Sequence, residues 1–217
     1  LGTNAKLGTS RYLVSEADES DGSFLKLRPH IAVVTNVEDD HMDHYGTMEK
    51  IIAAFRQFIE QVDTDGAAVL CFENANLRNI ARETKRCVVS YAIDYEADYR
   101  ASDIETRGSL ISFTVHERGA EMGRISLNIP GRHNVLNALA CIAVARLVGV
   151  EFPAIRAALA QFHGAKRRFQ TKGKERGVWV VDDYAHHPTE ISVTLAAARQ
   201  TNPERLICVF QPHRYSR

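Results

Sequence analysis

No stretch of the 217 residues stays apolar for the ~20 positions that a bilayer span requires. Charge of one sign is also lacking. Lys plus Arg and Asp plus Glu number 27 each, so no net field steers the chain toward nucleic acid or an anionic membrane, and a charged ligand must be held locally. Cysteine is scarce. Cys71, Cys87, Cys141 and Cys208 lie far apart without a C-x-x-C pair, which excludes a disulfide framework and reads as reduced, buried thiols in a cytoplasmic protein. No G-x-x-x-x-G-K-[ST] run occurs, so these residues contain no loop of that kind to cradle phosphates. An initiator Met and a signal peptide are missing too. The chain opens Leu1-Gly2-Thr3 and stops at Arg217 inside a polar motif, so both ends read as cuts through a longer protein.

What is present has the balance of a globular protein, 45% hydrophobic and 25% charged, enough for one large domain or one domain and part of another. Tyr12-Leu13-Val14 and Ile31-Ala32-Val33-Val34 read as buried strands, each running into a polar cluster. Thr47 can cap a helix whose apolar positions are Ile51, Ile52, Phe55, Ile59 and Val62. Ala67 to Cys71 predicts a strand, Ala75 to Arg82 a short helix, and Cys87 to Tyr91 another strand. This βαβ rhythm implies an α/β fold with a largely parallel sheet. Residues 98–128 instead alternate polar and apolar between glycines, as antiparallel hairpins do. An Ala-rich helix follows from Asn134 to Val148, and Pro153 opens the next, to about Phe162. The composition breaks at His163 to Arg168, which sets a boundary between residues 1–164 and 165–217. Beyond it, Val178 to Val181, a helix from Pro188 to Gln200, and Leu206 to Phe210 predict a fresh β-α-β unit.

Between Glu16 and Asp43 eight acidic residues stand against Lys26 and Arg28, in two clusters that each follow a predicted strand. Ligands of open α/β sheets bind beyond the carboxyl ends of strands. Carboxylates gathered there repel one another unless a cation sits among them, and hard oxygens suit Mg²⁺. The plainer alternative is a set of solvated loop charges.

Three further patterns carry chemistry. In Pro130-Gly131-Arg132-His133-Asn134-Val135-Leu136-Asn137 two carboxamides share one face of a first helical turn. They offer the donor and acceptor that an adenine edge requires, or else Asn134 is a helix cap and Asn137 faces solvent. Lys166, Arg167, Arg168, Lys172 and Lys174 form a basic run with no acid before Glu175, which is a solvated linker or a phosphate contact. Asp182-Asp183-Tyr184-Ala185-His186-His187-Pro188-Thr189-Glu190 lies at a strand-to-helix turn. Its paired histidines suggest zinc, but no further ligand stands at matching spacing.

Together these segments resemble the Mur ligases, the ATP-dependent amide ligases of bacterial cell-wall synthesis. Glu16-Ala17-Asp18-Glu19-Ser20-Asp21-Gly22-Ser23-Phe24-Leu25 and Val34-Thr35-Asn36-Val37-Glu38-Asp39-Asp40-His41-Met42-Asp43 look like the metal-side motifs of the branch that adds L-alanine to UDP-N-acetylmuramate. The resemblance implies that residues 1–164 are most of the central ATP-binding domain and residues 165–217 the start of a Rossmann-like C-terminal domain. It implies that Glu16 and His41 hold Mg²⁺ and that His133, Asn134 and Asn137 meet the adenine of ATP. Arg168, with Arg167 beside it, would reach the γ-phosphate; Asp182, Asp183 and Tyr184 would approach the nucleotide; His186, His187, Arg214 and Arg217 would face the substrates. Other members carry a carbamylated lysine past the histidine, where this chain has Ala54, Phe55 and Arg56. A ligase that recycles a tripeptide onto the same sugar, a folylpolyglutamate synthase, and a catalytically silent nucleotide- or metal-binding fragment are the other readings.

Overall fold

The structure, a computed structural model, describes residues 5–212. A six-stranded sheet runs in the order β1 (Ile31–Val34), β2 (Ala67–Cys71), β3 (Val88–Ala92), β4 (Tyr99–Arg107), β5 (Leu110–Glu117) and β6 (Ala120–Leu127). The first three pairings are parallel and the last two antiparallel. The hairpins expected over 98–128 therefore extend the parallel sheet. β3 and β4 meet at only two residue pairs, Tyr91 with Tyr99 and Ala92 with Arg100. There the Asp98 carboxylate accepts from both the Ser90 N–H and the Ser90 hydroxyl at 2.8 Å, pinning the point where the sheet changes sense.

Burial explains which residues form which element. Every residue of β2 is buried, as a continuous apolar run in a central parallel strand should be. Helix α1 (Met42–Tyr45) is a single turn, and α2 (Met48–Glu60) starts where the Thr47 hydroxyl accepts the Lys50 N–H. Ile51, Ala54, Phe58 and Ile59 of α2 are buried, with Ile52 and Phe55 partly so. Helix α3 (Ala75–Glu83) packs on β2, and α4 (Arg132–Leu147) lies across β2 to β5. Helix α5 (Phe152–Ala160) covers β6.

The C-terminal part is a two-stranded antiparallel ribbon, β7 (Gln170–Glu175) and β8 (Val178–Asp182), followed by α6 (Pro188–Gln200). Arg176 and Gly177, with φ of 50° and 80°, turn the hairpin in the left-handed pair that suits a two-residue loop.

Four expectations need correction. Residues 12–14 form no strand, and Leu13 and Val14 are 91% and 93% exposed. The stretch 206–210 is not a strand either, so the expected β-α-β unit is a hairpin followed by a helix. A parallel strand is held by neighbours and by cover on its faces, and neither stretch has a pairing partner among the described residues. The basic run is no plain linker, because Lys172 and Lys174 stand in β7. Of the four thiols only Cys71 is buried.

Gly66 shows how tightly β1 and β2 start together. Its N–H bonds the Asp63 carbonyl, the next N–H bonds the His30 carbonyl, and a Cβ at Gly66 would land on that His30 oxygen. Gly66→Ala is expected to destabilise the chain by about 1–3 kcal/mol, the cost of forcing extra volume into a packed site. A urea midpoint equal to wild type would contradict this close approach.

Candidate functional site

The chain leaves β1 at Val34 and reaches His41, whose left-handed backbone (φ 55°) starts α1. The His41 N–H donates to Asp40 Oδ1 at 2.8 Å. Its Nε2 lies 3.2 Å from Glu19 Oε1 and 3.7 Å from Asp40 Oδ2. Glu19 sits in a loop closed by its own hydrogen bonds: Asp18 Oδ1 accepts the Ser20 N–H, Asp21 Oδ1 the Ser23 N–H, and the Asp18 carbonyl the Phe24 N–H. The Ser20 hydroxyl and then its N–H hold the Asp18 carboxyl below the usual range, and the Ser23 hydroxyl and N–H do the same for Asp21. The Tyr45 hydroxyl, on α1, donates to the Glu19 carbonyl at 2.5 Å. Burial first, then the Glu19, Asp21 and Asp18 carboxylates, push this phenol up, so it stays protonated and donating.

Glu16 is exposed and stands outside this group. The structure brings His41 to Glu19 and Asp40 instead, and sequence spacing alone did not single out Glu19. The turn residues Ser20 to Ser23 were the available signal, since a turn there folds the carboxylate back. Glu19 and Asp40 thus approach the His41 nitrogen pairwise, and carboxylate oxygens suit Mg²⁺. Among the described residues the three side chains whose ligand atoms all converge are His30, Asp63 and Asp65, exposed at the start of β1 and β2, the opposite end of the strands. Where the resemblance would place a carbamylated lysine, Ala54 is buried and Arg56 turns to Glu83.

At the start of α4 the cap position belongs to Gly131 (φ 104°), which has no capping side chain. Asn134 therefore is not the cap. Its Nδ2 donates back to the Pro130 carbonyl at 2.7 Å, and its Oδ1 faces Asn137 Nδ2 at 3.5 Å. Asn137 is exposed. Arg132 pairs with Asp94 at 2.6 Å, tying the helix start to the loop after β3. A Cβ on Gly131 would meet Ala197 of α6 at 3.0 Å and the His133 ring at 2.5 Å. The start of α4 is thus where the C-terminal helix docks.

In the basic run, Arg167 lies over the Tyr184 ring at 4.4 Å, and its carbonyl accepts the Tyr184 N–H at 2.8 Å. Asp183 holds the turn, accepting the Phe169 N–H at 2.7 Å and the Ala185 N–H at 2.8 Å. Asp182 ends β8 opposite Gln170. Arg168 reaches Glu190 at 3.4 Å. Burial opposes ionisation of Glu190, but the His186 and His187 N–H groups and Arg168 hold its carboxyl below the usual range. Glu190 was missed as an organiser, although His187-x-x-Glu190 has the spacing of a capping box, which the structure forms.

The two histidines turn to different partners. His186 Nδ1 meets the Tyr184 carbonyl at 3.0 Å, while His187 Nδ1 accepts the Thr189 N–H. His187 Nδ1 also lies 3.8 Å from Glu38 Oε2. Because that nitrogen is already an acceptor, the approach is a juxtaposition and not an ion pair. It still places the acidic segment after β1 against the start of α6. Arg214 and Arg217 lie outside the described residues.

Burial lowers the His133 pKa from its ordinary 6.5; Asp183 opposes the shift and Arg168 adds to it. A neutral folded imidazole contributes stability that is complete above pH 6.5 and lost as pH falls toward the depressed value. The urea midpoint of wild type should therefore fall more steeply than that of His133→Gln between pH 7 and 5. Parallel curves would remove His133 from a desolvated, electrostatically coupled position.

Comparison with known proteins agrees with this architecture. The sequence model described as Mur ligase middle domain matches residues 3–145, and that of the Mur ligase glutamate ligase domain matches residues 167–216. The chain is 52% identical to a UDP-N-acetylmuramate–L-alanine ligase of Geotalea daltonii and 53% to one of Geobacter sulfurreducens, in each case over 100% of this chain and 47% of the relative. It thus spans about half the length of the curated relatives it matches. The solved UDP-N-acetylmuramate-alanine ligase of Thermotoga maritima superposes with a TM-score of 0.73 at 28% identity, covering 85% of this chain and 41% of that one. With the middle-domain match extending over more than half of its residues, the chain belongs to the Mur ligase family.

Proposed function

We propose that this chain supplies the ATP-side machinery of a ligase that joins L-alanine to UDP-N-acetylmuramate in the bacterial cytoplasm. Residues 1–164 would be the central domain and 165–217 the start of the C-terminal domain. The observation that carries the reading is the 3.8 Å approach of His187 Nδ1 to Glu38 Oε2, which sets the acidic segment after β1 against the start of α6. Among the described residues no helix is long and apolar enough to cross a membrane.

A carboxylate resists attack by an amine because its charge is delocalised and oxide would have to leave. Transfer of the ATP γ-phosphoryl group to the UDP-N-acetylmuramate carboxylate gives an acyl phosphate. The alanine amine then attacks the acyl carbon, and phosphate departs with the C–O electron pair. The protein's part is to position these groups and complement their charge. Mg²⁺, when bound, would neutralise phosphoryl oxygens. Its ligands would be His41 with the acidic loop, where the resemblance assigns Glu16 and the 3.2 Å distance favours Glu19. Arg168 and Arg167 would face the γ-phosphate, and His133, Asn134, Asn137, Asp182, Asp183 and Tyr184 the rest of the nucleotide. His186, His187, Arg214 and Arg217 would serve the sugar nucleotide and the amino acid.

The test is phosphate release by the full-length protein with ATP, UDP-N-acetylmuramate and L-alanine, with each substrate omitted in turn. Turnover should need all three, and the 217-residue chain alone should show none, because its sequence has no phosphate-cradling loop. Turnover without L-alanine, or by the short chain, would overturn the proposal. Glu16→Gln and Glu19→Gln separate the two metal assignments, since the true ligand should lose roughly 10²-fold in kcat. Asn137→Ala should raise the KM for ATP by the equivalent of about 1–3 kcal/mol while leaving that for L-alanine unchanged. Normal ATP kinetics in both Asn137→Ala and Asn134→Asp would remove the adenine assignment.

A further inference from the structure

The three side chains that converge at the start of β1 and β2 stand on a backbone the fold fixes firmly. His30 is the residue before β1, and Asp63 and Asp65 belong to the turn between α2 and β2. The Asp63 N–H donates to the Pro29 carbonyl at 3.2 Å, and the Ala67 N–H to the His30 carbonyl at 3.0 Å. Gly66 leaves no room for a Cβ against that same carbonyl. Main-chain bonds therefore hold the imidazole and the turn side by side.

Asp63 Oδ2 and Asp65 Oδ1 each stand 3.7 Å from His30 Nδ1, and the ligand atoms of the trio all lie within 4.8 Å of one another. That spacing is too wide for a hydrogen bond, which needs about 2.7–3.2 Å. Donors at about 2.1 Å from a shared ion stand roughly 3.0–3.5 Å apart, so a small inward movement makes all three ligands. Asp18, Asp21 and Asp183 instead commit oxygens to N–H groups of their own turns. Among the described residues the Asp63 and Asp65 carboxylates accept no hydrogen bond and pair with no Lys or Arg; what they meet is the one imidazole nitrogen.

From this arrangement we propose that His30, Asp63 and Asp65 bind a divalent transition ion of the zinc type, with water completing its coordination. One imidazole nitrogen among carboxylate oxygens suits Zn²⁺ better than Mg²⁺, which prefers oxygen throughout. The site is at the opposite end of the strands from the His41 turn and takes no part in the ligase reaction. Its effect is on the sheet. Strand β1 has four residues and, among the described residues, β2 as its one paired neighbour. An ion shared by His30 and the turn staples that edge strand one residue before Ile31 meets Ala67.

The experiment is calorimetric Zn²⁺ titration of the full-length protein in saturating Mg²⁺, which occupies sites built for the harder ion. Wild type is compared with His30→Ala, Asp63→Asn and Asp65→Asn, with melting temperatures in EDTA and in Zn²⁺ alongside. The three side chains are exposed, so in EDTA each variant should melt with wild type. Wild type should bind one Zn²⁺ that every variant binds at least roughly ten-fold more weakly, since even a partner behind a metal ligand is worth that much. Zn²⁺ should raise the wild-type melting temperature, as an ion bound by the folded chain must, and the rise should vanish in the variants. Turnover in Mg²⁺ alone should be equal in all four proteins. Wild-type Zn²⁺ affinity in all three variants would overturn the site. So would a loss confined to His30→Ala, the behaviour of a lone surface histidine. A wild-type melting temperature that Zn²⁺ leaves unchanged would overturn it as well.

Discussion

Gly131 lets α6 settle directly on the first turn of α4, with no Cβ between the glycine backbone and Ala197. Much of the site depends on that approach. It sets the cap of α6 beside the segment after β1, where His187 Nδ1 lies 3.8 Å from Glu38 Oε2. It also places Asp183 and Arg168 close enough to bias the half-buried His133 ring. Gly131 has a φ of 104°, a backbone region that side chains with a Cβ rarely adopt. The position therefore combines a conformational requirement with a steric one.

Several carboxylates serve the shape of the loops that carry them. Asp183 spends both oxygens on backbone N–H groups, Glu190 collects the N–H groups at the start of α6, and Asp18 and Asp21 each close a turn. These bonds replace water for backbone groups that loops would otherwise leave unpaired. A dense acidic sequence is thus divided between residues that build the loops and residues that approach histidines, Glu19 at His41 and Glu38 at His187.

That division marks where the sequence was legible. Helix α2 was readable because apolar spacing and the Thr47 cap agree, and α6 because Pro188 suits a first helical turn. The β2 run was readable because a fully buried strand has no polar positions to confuse it. Strand β7 was not, since five of its six residues are exposed and a two-stranded ribbon has no core to impose alternation. Residues 12–14 and 206–210 fail in the opposite sense, because apolar character does not supply a neighbouring strand. The choice between Glu16 and Glu19 lies below the resolution of spacing: three positions apart, they are told apart only by the turn at Ser20 to Ser23.

The two-pair meeting of β3 and β4 divides the sheet into halves of different connectivity. On the antiparallel side, Glu117 pairs with Ala120 and Arg107 with Leu110, neighbours in the chain. On the parallel side, Ile31 must find Ala67 across the whole of α2. Loop closure is cheap for the first kind of contact and costly for the second. The meander of β4 to β6 is therefore suited to fold early and offer its β4 edge as a template. The parallel strands, whose contacts span longer chain segments, are suited to join after it, with Ser90 and Asp98 linking the two halves into one sheet.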